Sequence, residues 1–163
     1  MKTISVVIAS IALAVSLSTF LTNRLRDKRD LLLRVHERLI TADQQRGRGL
    51  IYNKIAAGIA VEDLTADEYS AINSALVTLD AAAIYYRRHY IRRKDFLRLW
   101  ALTIVRVVCA AEPFLDQRKR YLGTESLPDL RAFAADAKKY LARNRTPVKA
   151  IEPRPAGGPD PDL

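Results

Sequence analysis

The chain has 163 residues, of which 27 are Lys or Arg and 18 are Asp or Glu, so its formal net charge is +9. That length predicts one domain with appendages, and the single cysteine, Cys109, excludes an intrachain disulfide framework. The cationic surplus favours anionic partners such as lipid headgroups or nucleic acid, although a membrane protein that faces the cytoplasm carries a similar surplus.

The N-terminal segment is predicted to be a membrane anchor. No charged residue occurs between Thr3 and Asn23, and a helix of that length spans about 31 Å, close to the ~30 Å hydrocarbon core of a bilayer. A basic cluster follows directly, consisting of Arg24, Arg26, Lys28 and Arg29. The positive-inside rule therefore predicts a single-pass protein of the inner cell membrane, with Met1 outside and the C-terminal domain in the cytoplasm.

A cleaved signal peptide is the alternative interpretation of this segment. Lys2 would be its basic start, residues 4–15 its apolar stretch and residues 12–14 (ALA) an approximate cleavage signal. The uncharged run continues past Ala14, however, and the basic cluster behind it opposes export. We therefore favour the retained anchor.

Two patterns near the anchor offer routes to self-association. Small residues at four-residue spacing would let two anchor helices approach closely, although so many small residues occur there that such a match is common. The repeating residues are Ser10, Ala14 and Ser18. Farther on, a seven-residue repeat predicts either a short parallel coiled coil or a helix that packs on its own domain. The repeat consists of Leu25, Leu32 and Leu39. Because Lys28 interrupts it, we favour intramolecular packing.

The remainder is predicted to be all-α, because apolar residues recur at helical spacing and nothing alternates convincingly with a period of two. Five of the seven prolines lie beyond Arg145, in a segment too polar to bury a core. The predicted divisions are a transmembrane anchor over 1–23, a juxtamembrane helix over 24–46, a cytosolic helical bundle over 47–144 and a disordered Pro-rich tail over 145–163.

Capping motifs and breakers mark the predicted helices of the bundle. Residues 41–44 and 65–68 each place a threonine three positions before an amide or carboxylate, as a capping box requires. The helix from Thr65 is expected to run to about Tyr90, and Asp95 is expected to cap the next one. That helix is the most apolar and should form the centre of the core. Pro113 should end it near Ala111. A short continuation to a C-cap at Gly123 and a last helix from near Ser126 complete the bundle.

Nothing in the chain predicts catalysis, a metal or a cofactor. The two histidines are His36 and His89, and Ile40 stands where a zincin helix needs its second histidine. No phosphate-binding glycine loop and no nucleophile elbow occurs. Cys109 lies in an apolar run and is expected to be an inert core residue. We therefore predict a protein that is not an enzyme.

Three residues of the two longest bundle helices are predicted to have a structural role: Asp80, Trp100 and Arg106. Asp80 lies toward the apolar face of its helix, beside Leu76 and Leu79. A carboxylate in such a position usually pairs with an arginine, and Arg106 on the next helix is the candidate. The alternative is a buried functional carboxylate, which we consider the weaker reading.

The strongest binding candidate is a basic cluster, which consists of Arg87, Arg88, Arg92, Arg93, Lys94 and Arg98. Aromatic residues are interleaved with it, and the combination can bind phosphate groups or stack bases. The same charges could face anionic lipid, or the cluster could be a solvated corner between two helices. The absence of a nucleic-acid-binding signature disfavours nucleic acid.

Three segments carry a weak but recurring pattern around Asp80, Trp100 and Pro113. They are residues 46–55 (RGRGLIYNKI), 72–83 (INSALVTLDAAA) and 97–120 (LRLWALTIVRVVCAAEPFLDQRKR). Together they resemble a family of small bacterial proteins of unknown function, each with one N-terminal membrane helix and a cytosolic all-helical domain. The resemblance covers residues 31–142 and implies the fold and topology alone.

The predicted function is that of a membrane-anchored, non-catalytic interaction or scaffold protein. Its partners would be the lipid bilayer and either another protein or a second copy of the chain. The alternative function is a module that binds anionic lipid or nucleic acid through residues 87–98.

Overall fold

The computed structural model describes the backbone of residues 2–144 and the side chains of residues 12–144. Within that range every regular element is a helix and no strand occurs, so the predicted all-α bundle is confirmed. The predicted Pro-rich tail, residues 145–163, lies outside the described residues.

Six α-helices make up the described chain, joined by short connections. They are α1 (Lys2–Leu39), α2 (Ala42–Leu50), α3 (Ala66–Arg87), α4 (Arg93–Ala110), α5 (Glu112–Leu122) and α6 (Pro128–Arg143). A π-helical turn (Ile51–Ile55) extends α2, and a 3-10 turn (Val61–Asp63) precedes α3.

Helix α1 runs unbroken from the predicted anchor into the juxtamembrane segment. It ends at Leu39, so residues 42–46 of that segment belong to α2. Its C-terminal part packs on the bundle, where Val35 and Leu39 are buried, whereas the side chains of residues 12–27 are exposed. No helix of the described part combines the length and the apolar character that a membrane span requires. Residues 3–11 of the predicted anchor belong to the stretch whose side chains lie outside the description.

The core lies where α3, α4 and α6 meet. The Tyr86 and Phe133 rings are 4.4 Å apart, and Phe96 stacks on Phe133 at 5.1 Å. The expected apolar stripe of α6 is buried throughout, at Leu130, Phe133, Ala134, Ala137 and Leu141. Helix α4 contributes the most buried residues, as the sequence predicts for the central helix.

Helix α2 lies against α3 at a glycine. A Cβ atom added to Gly47 would lie 2.7 Å from the Ala75 Cβ and closer still to the Ala71 carbonyl oxygen. Only a residue without a side chain therefore permits this approach. Gly49, two residues later, has open space around it.

The predicted helix ends are partly right. At Thr65 the capping box is present: the Thr65 hydroxyl accepts from the Glu68 N–H at 3.3 Å, and the Glu68 carboxylate accepts from the Thr65 N–H at 3.1 Å. Helix α2 begins directly after Thr41, but the Thr41 hydroxyl donates back to the Arg38 carbonyl and caps nothing ahead.

Other ends differ from the prediction. Helix α3 ends at Arg87 rather than near Tyr90, and Arg92, not Asp95, holds the N-cap position of α4. The break before Pro113 and the C-cap at Gly123 are confirmed. Gly123 adopts a φ of 69°, the left-handed conformation that glycine tolerates best.

Candidate functional site

The predicted basic cluster lies at the corner between α3 and α4, but half of its members are engaged in ion pairs. The pairs are Arg87 with Asp129, Arg92 with Asp95 at 3.5 Å and Arg93 with Asp136 at 2.5 Å. Two of the three carboxylates belong to α6. Arg87 and Arg93 therefore attach α6 to the corner, whereas the pair between Arg92 and Asp95 lies at the start of α4.

Arg93 also belongs to a hydrogen-bonded network with a buried tyrosine. Its Nη2 donates to the Tyr86 hydroxyl at 2.9 Å, its guanidinium lies 4.6 Å from the Tyr86 ring centre, and the Tyr86 hydroxyl donates to Asp136 at 3.2 Å. Burial raises the pKa of Tyr86, and the hydrogen bond that Arg93 donates to Tyr86 is the main cause that raises the pKa of Arg93. The network gives the Tyr86 hydroxyl its hydrogen-bond partners, while the Tyr86 ring packs in the apolar core.

The other three cations of the cluster are Arg88, Lys94 and Arg98. All three are exposed, and none forms an ion pair with another described residue. Tyr90, which is 55% exposed, lies beside them. Phe96 is fully buried and cannot stack on a base. The accessible surface of the corner is thus smaller and less aromatic than the sequence suggests.

Asp80 has a backbone partner at the start of α6. Its Oδ1 accepts from the Leu130 N–H at 2.8 Å, so that α3 caps the N-terminus of α6. Burial raises the pKa of Asp80, with a further contribution from Asp129, while the Leu130 bond and Arg118 lower it. Asp80 thus caps a helix, and its predicted structural pairing with Arg106 stays a prediction.

Trp100 is buried, as a structural residue should be, at the place where α1 meets the bundle. The His36 ring packs edge-on at 5.6 Å, and the Arg48 guanidinium lies 5.6 Å from the Trp100 ring centre. Arg48 also donates to the Leu39 carbonyl, at the end of α1, at 2.8 Å. This junction (His36, Arg48, Trp100) therefore links α1, α2 and α4.

Burial changes the pKa values of two residues at or near the junction. It lowers the pKa of Arg48 and raises that of Tyr52, whose pKa is in turn lowered by Arg106 and Arg48. Arg106 is exposed and lies near enough to Tyr52 to lower its pKa. The sequence reasoning missed His36, Arg48 and Tyr52. For Arg48 and Tyr52, the sequence offered one signal: an arginine between two glycines, followed by a tyrosine, within residues 46–55.

The prediction that Cys109 is a core residue is wrong, because its thiol is exposed. It lines a shallow cleft of about 430 Å³ between α4 and α6, together with Lys138. Glu112 and Arg131 border the same cleft and pair with each other at 2.7 Å. The neighbouring Val108 faces the core.

A second cleft of about 310 Å³ lies between the loop that follows the π-helical turn and helix α5. Gln117 of α5 donates to the Glu62 carboxylate at 2.7 Å and closes one side of it. No group of His, Cys, Asp and Glu side chains within the described residues is arranged to hold a metal ion.

Comparison with known proteins assigns the chain to no family. No family model, no curated protein and no solved structure matches the chain. The resemblance of residues 31–142 to the bacterial family described above stays a prediction, and the function must be inferred from the residues themselves.

Proposed function

We propose that the protein is a non-catalytic interaction protein, anchored by α1 in the inner cell membrane, whose helical bundle holds a protein partner or a second copy at the cytoplasmic face. The observation that carries the proposal is the division of α1. One helix runs unbroken from Lys2 to Leu39, packs on the bundle at its C-terminal end and leaves the preceding apolar side chains uncovered.

Contact between water and the uncovered part of α1 is unfavourable in free energy. Its large apolar side chains are between 53% and 71% exposed, and each gains about 1.5–3 kcal/mol on full burial. They are Leu13, Val15, Leu17, Phe20 and Leu21. A bilayer supplies that burial, and the arginines and lysine from Arg24 to Arg29 then lie at the headgroup level.

The continuity of α1 would keep the bundle close to the bilayer. Leu31 is the first described α1 residue that packs on the core, and it lies eight positions beyond Asn23, a rise of about 12 Å along the helix. A partner held by the bundle would therefore meet the membrane surface. This geometry suits a tether better than a freely diffusing module.

The anchor is tested by fractionation and alkaline extraction of membranes. Replacing Val15 and Leu17 together by Arg should release the chain from membranes, because a charged side chain at the bilayer centre costs about 2.5–3.5 kcal/mol. The matched control is Leu33→Arg, at a position of α1 that is 58% exposed and lies beyond the uncharged run. This control should remain in the membrane. A wild-type chain found in the soluble fraction, with a mature N-terminus beyond Ala14, would contradict the proposal.

The partner is tested by crosslinking the full chain in native membranes, followed by purification in detergent. A crosslinked second copy or a defined copurifying protein is the expected result. A strictly monomeric chain that copurifies with nothing would remove the interaction role and leave the anchor alone.

A second candidate function is supported by the three cations at the α3–α4 corner that form no ion pair within residues 12–144. Arg88, Lys94 and Arg98 would bind phosphate groups of anionic lipid, or of nucleic acid as the less favoured ligand. Replacing all three by Ser should abolish salt-sensitive binding. Unchanged binding by that triple variant would eliminate this candidate.

A further inference from the structure

The end of α5 carries the most exposed of the large hydrophobic side chains of the described bundle. Tyr121 is 90% exposed and Leu122 is 50% exposed. The helix stops immediately afterwards, where Gly123 turns left-handed and its N–H bonds the Lys119 carbonyl at 2.9 Å. The last turn of α5 therefore leaves one apolar side chain almost fully exposed and a second half exposed.

Two cations share this last turn. Lys119 and Arg120 are exposed and form no ion pair with any described residue. The acidic side chains in and after α5 do not neutralise these two cations, because they lie close to one arginine of α6 instead. Arg131 lies 2.7 Å from Glu112, 3.6 Å from Asp116 and 3.8 Å from Glu125. The last turn, residues 119–122, thus combines uncompensated positive charge with exposed apolar surface; we call it the α5 tip.

The part of α5 that precedes the α5 tip is packed on the bundle. Phe114 and Leu115, earlier in α5, are buried in the core, and the Phe114 ring lies 5.0 Å from that of Tyr69. Gln117 ties the helix to the loop at Glu62. A surface that is already ordered loses little conformational entropy when it binds.

We propose that the α5 tip docks into the anionic headgroup layer of the bilayer in which α1 is anchored, and this inference rests on the proposed function. Tyr at a helix end suits the headgroup level, where its ring is half wetted, and Leu suits the layer just beneath. Lys119 and Arg120 face lipid phosphates, which supply the missing negative charge. The tether makes even weak docking effective, because the tip is confined near the surface.

The α3–α4 corner is the competing membrane-facing surface, and the α5 tip fits lipid better. At the corner, Arg87 and Arg93 are neutralised by acids of α6, and Phe96 is buried in the core. The three cations of the corner without an ion pair to a described residue are divided between the end of α3 (Arg88) and α4 (Lys94 and Arg98). At the tip, the two cations and the two exposed apolar side chains all lie in one turn.

The test measures the depth of a fluorescent label on the full chain in liposomes that contain lipids with nitroxide headgroups. The chain carries Cys109→Ser, so that only an introduced thiol is labelled. A label on Thr124→Cys reports the α5 tip, and a label on Tyr90→Cys reports the corner. Each position is measured in phosphatidylcholine alone and in phosphatidylcholine mixed with phosphatidylserine. Docking predicts that the tip label is quenched in the mixed bilayer, less so in high salt, while the corner label is not.

Variants of the tip separate its two contributions. Replacing Lys119 and Arg120 by Ala should lower the ratio of docked to undocked chains roughly fivefold for each charge removed. Replacing Tyr121 and Leu122 by Ser should abolish quenching of the tip label. The matched control is Leu99→Ser, which removes a leucine of similar exposure, 53%, from α4. It should leave the quenching unchanged.

Each outcome decides between the proposals. A chain that floats with the liposomes and shows no quenching of the tip label overturns the docking and leaves the anchor intact. Quenching of the corner label alone also overturns it and favours the corner. A chain that does not float with the liposomes refutes the anchor, and the docking with it.

Discussion

The close approach of α2 to α3 can be tested by adding one methyl group at Gly47. The added Cβ would lie 2.7 Å from the Ala75 Cβ and closer to the Ala71 carbonyl oxygen. One of these neighbours is a backbone atom of a helix that also packs on α4 and α6, so it cannot move independently. Gly47→Ala should therefore separate the two helices or strain them.

The magnitude follows from two opposing effects. Overpacking a close contact costs about 1–3 kcal/mol, and the backbone neighbour places this site in the upper part of that range. Alanine recovers about 1 kcal/mol, because it is the better helix former. The net effect of Gly47→Ala is a loss of about 1–2 kcal/mol in the free energy of unfolding.

Gly49→Ala is the matched control in the same helix. A Cβ at Gly49 has nothing within 4 Å, so this variant should gain about 0.5–1 kcal/mol from helix propensity alone. Denaturant unfolding of the full chain in detergent, followed by the fluorescence of Trp100, measures both variants. Equal stability of the two variants, or a more stable Gly47→Ala chain, would refute the close packing of α2 on α3.

Three other predictions concern the contacts around α6 and the exposed thiol. Asp80→Ala should cost about 1–2 kcal/mol, because it removes the acceptor that caps Leu130. Because the folded pKa of Asp80 is raised, the additional stability linked to its protonation is fully present below the usual aspartate pKa and is lost as the pH rises through the folded pKa; the hydrogen bond to Leu130 is separate from this part. Asp80→Asn should flatten this dependence in pH-resolved unfolding, and an unchanged profile would contradict the assignment. Tyr86→Phe should cost about 0.5–1.5 kcal/mol by removing the hydroxyl between Arg93 and Asp136, and a neutral effect on the melting temperature would show that the network is dispensable. Cys109 should react with a maleimide in the folded chain, and Cys109→Ser should change stability by no more than about 0.5 kcal/mol; a protected thiol would contradict its exposed position.

Several features followed from local patterns. The capping box at Thr65 and the left-handed residue at Gly123 are decided within one helical turn, and both were correctly predicted. The buried stripe of α6 follows from spacing in the same way, because residues three and four positions apart share a face.

Local patterns gave wrong predictions for the hydrogen bond of Thr41 and for the burial of Cys109. The Thr41 hydroxyl bonds back to Arg38 rather than forward, although residues 41–44 match the capping pattern. Cys109 adjoins the buried Val108, yet one residue turns a helix by about 100°, which is enough to leave the covered face. Whether that face was covered depended on the position of α6, about which the apolar run of α4 carries no information.

The sequence by itself determined the helical class of the chain, most helix boundaries and the uncharged N-terminal run, since periodicity, caps and breakers act over a few neighbouring residues. The tertiary structure alone decided which arginines of the basic cluster are neutralised, that Asp80 caps α6, and that the α5 tip is left exposed. These outcomes depend on where helices far apart in the chain cross; Tyr86 and Asp136, for example, are 50 residues apart. Such crossings are set by how whole faces pack together, which no local spacing contains.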